Sequence, residues 1–386
     1  SEVEKHFHNL RQVIPAFKKY QIQIEPTYFS AEYGITGRID LLLEKKSDKS
    51  WKTIVELKSG NPPSNQTKFI LSDGQRYSIA VWSSHFAQII GYNLLLDSHF
   101  ANRKGTSLIL YSSDVKNPLR DAGNIPAGKR DFIKIRNWIY LLETQLGKGN
   151  FKIFNSIEKF TENDNYLIFQ IQHYLTLLSS ASEETKALVK EYIRFLINEN
   201  RILRIGENGI ESRSSQSSLW SIPFDEKNEL DTNLTNLTLN LDKTNFVSGY
   251  ICFDRDTFST TICSLRKGDP VVLYHPNNVN TPLSFQLFKA VIKEIEPDYV
   301  TVSLRNKFTD YELFNLTHGW IIEQDLADTN TKYLFHSLFN FLLIPNEKAE
   351  FLLGLKEPIR NVNSLQNQSF PLYSNVIESA INSYPY

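Results

Sequence analysis

Residues 35–60 read ITGRIDLLLEKKSDKSWKTIVELKSG. ITGRIDLLLE has the β-branched and apolar texture of a strand, KKSDKS is a polar turn, and WKTIVELKS reads as a second strand, which predicts an antiparallel hairpin. Asp40 falls in the first strand, and Glu56 and Lys58 fall in the second. Because side chains alternate along a strand, Glu56 and Lys58 project from one face, roughly 7 Å apart. A hairpin of this length can bring Asp40 opposite them. Two neighbouring carboxylates repel unless a cation joins them, and a set of hard oxygen ligands selects Mg²⁺ or Mn²⁺. Such a centre polarises a phosphodiester and lowers the pKa of a bound water, while an ammonium holds that water or meets charge developing on the phosphate. The spacing alone also fits a surface hairpin carrying scattered charges.

The flanking segments extend the pattern. EVEKHFHNLRQVIPAFKKY has helical periodicity to about Tyr20, and QIQIEPTYFS then alternates like a strand. Gly60 through Gly74 reads as a loop, Ser78–Leu96 as a helix with a dense apolar face, and TSLILYSS as a further strand. The order predicts an α/β core of about 140 residues built on a mixed sheet flanked by helices. Within the helix, His85, Gln88 and Tyr92 stand at i, i+3 and i+7, a polar and aromatic stripe that needs a partner if it is buried.

These residues resemble a known family. GRID (Gly37–Asp40), ELKSG (Glu56–Gly60) and QIIGY (Gln88–Tyr92) match the G-x-x-D, E-x-K and Q-x-x-x-Y pattern of RecB-like PD-(D/E)XK nucleases in order and approximate spacing. YFSAEYGITGRID, HFAQIIGYNLLL and IRNWI extend the likeness to the nuclease domains of eukaryotic-type, flap-processing replication nuclease-helicases. The resemblance implies that Asp40 and Glu56 are metal ligands, with the Leu57 backbone carbonyl as a further one. It implies that Lys58 is the catalytic lysine, and that Gln88 and Tyr92 support the site or the DNA backbone. Glu25 matches a recurring position, either as a metal ligand through water or as a strand-end carboxylate. His85 matches another, as a DNA-facing or packed side chain. His6 and His8 lie in the first helix, where many relatives carry a metal-binding histidine. Many relatives also carry a four-cysteine iron–sulfur cluster, but this chain has only Cys252 and Cys263, so no cluster is expected.

Residues 128–200 read as mostly helical, with Ser182 as a helix cap, and the polar stretch at 206–218 as a boundary. From about Phe246 to Glu323, short strands punctuated by KGD, HPNNVNTP and EPD predict a small OB-like β-barrel. That barrel and the helices from Thr331 to Leu355 resemble the barrel and stalk of superfamily 1B helicases. The closing stretch SFPLYSNVIESAINSYPY resembles the lead-in to a helicase phosphate-binding loop. No G-x-x-x-x-G-K-[ST] occurs, so no ATP site is expected within the chain. The expected divisions are a nuclease core at 1–145, a helical extension and linker at 146–240, the barrel at 241–326, and stalk helices with the lead-in to a missing motor at 327–386.

Composition sets the remaining bounds. The chain has 386 residues, 41% of them hydrophobic and 22% charged, enough to bury ordinary cores in two or three domains. No apolar run approaches the roughly 20 residues that span a bilayer, and SEVEKHF does not resemble a secretory signal. An intracellular protein is expected, cytoplasmic and nucleoid-associated if bacterial, with no membrane partner. The absence of Met suggests a fragment, with a helicase motor in cis. Residues 1–140 hold 20 Lys and Arg against 13 Asp and Glu, although the whole chain has net charge −1. A basic half suits a polyanion, and single-stranded or flap DNA is the expected partner. Two rivals are a catalytically silent DNA-guiding module of a helicase and a scaffold whose acidic C-terminal part docks a protein.

Overall fold

The computed structural model describes residues 2–154, 165–206, 215–227, 229–255, 263–276, 287–305, 312–326 and 330–357. The chain opens with helix α1 (Glu2–Val13) and a 3-10 turn over Ile14–Phe17. Strands β1 (Tyr20–Ile24), β2 (Thr27–Ser30), β3 (Ile35–Arg38), β4 (Leu41–Lys45) and β5 (Asp48–Lys58) follow. After them come β6 (Thr67–Ile70), β7 (Arg76–Ile79), helix α2 (Ser83–His99), β8 (Ser107–Tyr111) and β9 (Leu119–Asp121). A mixed five-stranded sheet has the order β1-β4-β5-β8-β9 among the described residues, antiparallel except for the parallel β5–β8 pair.

Alternation along these strands sends apolar side chains to both faces. Leu42, Ile54 and Ile109 pack with Phe86, Ile89, Ile90 and Leu95 of α2. Leu43, Val55 and Leu110 pack on the other face against Val13 and Phe17. A sheet covered on both sides draws on the hydrophobic effect twice, each fully buried Ile or Leu contributing roughly 1.5–3 kcal/mol. Counting by two from Ile54, Glu56 and Lys58 belong to the face that α2 covers.

ITGRIDLLLE is not one strand. Its first half is β3, paired with β2 in a separate two-stranded sheet, and its second half is β4, paired with β1 and β5. QIQIEPTYFS breaks in parallel fashion into β1 and β2. Pro26 has no N–H to give a ladder, and Glu25 takes a left-handed conformation with φ 50°. The two corners lock together: the Glu25 N–H donates to the Asp40 carbonyl at 2.9 Å, and the Ile39 N–H donates to the Pro26 carbonyl at 3.1 Å. Asp40 therefore sits at a corner where the chain leaves one sheet for another, immediately before β4. The expected loop after Gly60 contains the β6–β7 hairpin, turning at Gly74 with φ 76°.

Helices α3 (Pro126–Gly147), α4 (Asn165–Ser180) and α5 (Glu183–Ile205) follow, and the Thr185 N–H is capped by Ser182 Oγ at 3.2 Å. Two short helices, α6 (Ser218–Ser221) and α7 (Phe224–Lys227), lead into the barrel strands. These are β10 (Asn233–Leu239), β11 (Tyr250–Asp254), β12 (Pro270–Tyr274), β13 (Phe288–Ile295), β14 (Tyr299–Leu304) and β15 (His318–Gln324). They close an antiparallel barrel in the order β10-β11-β14-β13-β12-β15, filled by Phe253, Phe288, Phe314 and Trp320. Its first strand precedes the stretch in which sequence periodicity is evident. Helices α8 (Thr331–Phe341) and α9 (Asn346–Leu352) come last, and residues 369–386, the expected helicase lead-in, lie outside the described residues.

The described residues divide into two compact units, within 1–141 plus 201–327 and within 142–200 plus 328–386. In the first, the barrel is joined to β2: the Leu287 N–H donates to the Thr27 carbonyl at 3.0 Å, and Phe29 packs with Val272, Tyr274, Leu287 and Ile321. In the second, Val189, Ile193 and Ile197 of α5 form a core with Phe151, Leu178, Phe335 and Phe341. No helix among the described residues is long and apolar enough to cross a membrane.

Gly37 shows how closely α2 approaches β3. A Cβ at this position would stand 2.6 Å from Leu95 Cδ1 and 3.0 Å from Tyr92 Cε1. Leu95 is buried, so neither side chain can yield freely. Gly37→Ala should therefore destabilise the chain by about 1–3 kcal/mol through overpacking, measured as the midpoint shift in urea. An unchanged midpoint would contradict this packing.

Candidate active site

Glu56 is the centre of the arrangement. It leaves β5 toward α2 and is 3% exposed. Its Oε1 accepts from Lys58 Nζ at 2.8 Å and from Gln88 Nε2 at 2.7 Å. Its Oε2 is buried and has no hydrogen-bond partner. Burial pushes the carboxyl pKa up; the hydrogen bond from Lys58 opposes that shift, and the nearby Asp40 charge adds to it. A buried carboxylate with one oxygen satisfied and a raised proton affinity is a natural seat for a proton or a metal ion.

Asp40 reaches the same place from its corner. Its Oδ2 accepts the Leu57 N–H at 2.7 Å, so the carboxylate is tied to β5 between Glu56 and Lys58. The Leu57 carbonyl belongs to the same short stretch of backbone. Lys58 Nζ also donates to Gln88 Oε1 at 2.8 Å, so the glutamine amide bridges the acid and the ammonium. Gln88 in turn donates to the Tyr92 hydroxyl at 2.9 Å, and that hydroxyl donates to the Arg38 carbonyl at 2.7 Å. Burial holds the Tyr92 pKa up at about 12, so the phenol stays protonated and able to donate well above neutral pH. The helical i, i+4 spacing of Gln88 and Tyr92 stacks them on one face, which makes this chain of donors possible.

Other candidates take different positions. His85 Nδ1 lies 2.9 Å from the Tyr111 hydroxyl, and burial followed by the Lys58 charge lowers its pKa, favouring the neutral ring. Glu25 faces Arg38, with 3.7 Å between Oε2 and Nη1. His6 Nδ1 lies 2.9 Å from Ser112 Oγ, and the Ser112 N–H donates to the Lys58 carbonyl at 2.9 Å. His8 pairs with Gln12 at 3.0 Å on the surface. Among the described residues, no three His, Cys, Asp or Glu side chains gather to hold an ion. A cation at Asp40 and Glu56 would complete its shell from backbone, water or substrate.

Two participants were not singled out from the sequence. Asn9 Nδ2 donates to the Ser112 carbonyl at 2.8 Å, and Ser112 in turn caps the end of β5 that carries Lys58. Ser112 stands just beyond the TSLILY strand, where only the parallel pairing of β8 with β5 reveals its role. Neither a scan against protein-family models nor a search of curated protein sequences returns a match for the chain.

The raised Glu56 pKa has a stability consequence with a definite sign. A carboxyl whose folded pKa exceeds its unfolded value contributes stability below the unfolded pKa, and that contribution is lost as pH rises through the folded pKa. In chelator, Glu56→Gln should therefore stabilise the chain at about pH 7.5. The gain should vanish near pH 4, around the ordinary glutamate value. Denaturant titrations at both pH values test this. A loss of several kcal/mol at neutral pH would instead make Glu56–Lys58 a structural ion pair.

Proposed function

We propose that the chain is a metal-dependent phosphodiester hydrolase, a RecB-like nuclease with a PD-(D/E)XK core. Its substrate in this reading is single-stranded or flap DNA, and it forms the nuclease and accessory part of a nuclease-helicase. One observation carries the reading: the buried, unpartnered Glu56 Oε2 beside Asp40, on a strand that also presents Lys58. The donor set suits a hard divalent cation because it offers two carboxylates and a backbone carbonyl, all oxygen.

When bound by Asp40, Glu56 and the Leu57 carbonyl, Mg²⁺ or Mn²⁺ supplies Lewis acidity and a water of lowered pKa. The side chains then have separate tasks. Lys58, held between Glu56 Oε1 and Gln88 Oε1, has one N–H left to present to the attacking water or to a non-bridging phosphate oxygen, where negative charge grows. Gln88 holds both the lysine and the carboxylate by hydrogen bonds, and Tyr92 holds Gln88. Hydrolysis adds the water oxygen to phosphorus and breaks the bond to O3′. The departing oxygen takes a proton, leaving a 5′-phosphate and a 3′-hydroxyl. No covalent enzyme intermediate is required.

The test is cleavage of end-labelled single-stranded, flap and duplex DNA in Mg²⁺, Mn²⁺ or chelator. Asp40→Asn, Glu56→Gln and Lys58→Ala should each lose about 100-fold or more in rate. Gln88→Ala should lose less, about 10-fold, because it acts through its neighbours. Cutting that survives chelation, or that Glu56→Gln leaves intact, would overturn the reading.

A further inference from the structure

We infer that Trp82 is a stacking platform for an unpaired base flanking the phosphate addressed by Glu56 and Lys58, and that it selects single-stranded over paired substrate. This rests on the nuclease reading above and assigns the selectivity of that site to one residue.

Trp82 is 45% exposed, yet it is firmly held. Its indole N–H donates to the Asn61 carbonyl at 2.8 Å, and its backbone N–H points to the Tyr111 hydroxyl at 3.4 Å. It occupies the extended residue immediately before α2, with φ −65° and ψ 146°. Among the described residues no aromatic ring packs on it, and close to half of its surface is open to solvent. An indole whose polar edge is satisfied and whose apolar body is left to solvent suits a flat apolar ligand.

The anchors tie that residue to the segment that follows Lys58 and to the strand paired with it. Asn61 follows Lys58 by three residues, and Tyr111 is the register partner of Lys58 across the parallel β5–β8 pair. The same Tyr111 hydroxyl meets His85, which lies one turn beyond Trp82 and one turn short of Gln88. Trp82 and Gln88 are six residues apart, about 9 Å along the helix axis. The first turn of α2 contains Ser83 and Ser84 and no acidic residue, so nothing there repels a phosphate backbone.

Stacking on an aromatic ring accepts any base, because every base has a π-face. A base inside a duplex already stacks on its neighbours, so only an unpaired one can occupy the indole without an unstacking cost. One rigid ring beside the cleavage centre therefore gives strand-state selectivity without sequence selectivity.

The experiment measures binding by fluorescence anisotropy in Ca²⁺, using a labelled single-stranded oligonucleotide, the same strand with an abasic residue walked through successive positions, and a blunt duplex. Trp82→Ala should weaken single-strand binding about 10- to 100-fold, Trp82→Phe should retain most of it, and duplex binding should not change. For the parent chain, one abasic position should reproduce the loss, and Trp82→Ala should show no further loss there. Unchanged thermal melting of Trp82→Ala excludes misfolding. If Trp82→Ala binds single strand as tightly as a parent chain that cleaves DNA in Mg²⁺, the stacking role is wrong and the nuclease reading stands. A parent chain that neither binds nor cleaves DNA overturns both.

Discussion

The arrangement depends on burying the Glu56 carboxylate under α2 while satisfying only one of its oxygens. The chain contains other buried acids, and they are treated differently. Glu323 in the barrel is paired with Lys227 at 2.6 Å and with the Tyr274 hydroxyl, and Lys227 is held further by the Leu219 carbonyl at 2.7 Å. Glu44 is likewise paired with Lys52. These pairs join structural elements with their charges matched, as burial demands. Glu56 takes Lys58 and Gln88 on Oε1 alone and leaves Oε2 without a hydrogen bond. Burying a polar atom without a partner costs on the order of 1–3 kcal/mol, and in the proposed reading a bound cation offsets that cost.

The surrounding frame serves to keep that carboxylate where it is. β5 has a strand neighbour on each side and helical cover on each face, so the direction of Glu56 follows from the alternation that buries Ile54 and Val55. Gln88 and Tyr92 come from a helix whose neighbouring residues, Ile89, Ile90 and Leu95, are core. The site cannot loosen without disturbing that core. Asp40 is placed differently, by a corner whose two chain segments hydrogen-bond each other, which fixes a carboxylate at a strand entrance rather than within a ladder.

Much of this was legible in the sequence for physical reasons. A helix repeats every 3.6 residues and a strand every two, so the face shared by Gln88 and Tyr92 and the face shared by Glu56 and Lys58 both follow from spacing. Spacing could not show that His85, on the same stripe, turns to Tyr111 instead. It could not show that ITGRIDLLLE bends at Ile39–Asp40, because the bend depends on pairing with Glu25 and Pro26, distant in sequence. The β6–β7 hairpin was hidden among Pro, Ser, Asn and Gly, residues that also make plain loops. The first barrel strand, NLTNLTL, has a lower apolar density than β11 to β14. Lys227 carries no sequence sign of burial, since its partners Tyr274 and Glu323 come from two separate strands.

The most direct measurement is Mn²⁺ binding to the parent chain, to Asp40→Asn and to Glu56→Gln, by calorimetry together with the electron paramagnetic resonance of free Mn²⁺. Saturable binding to the parent is expected, lost or weakened at least about 10-fold in each variant, since each removes one of two charged ligands. Equal binding by all three chains, or no binding to the parent at millimolar Mn²⁺, would contradict it.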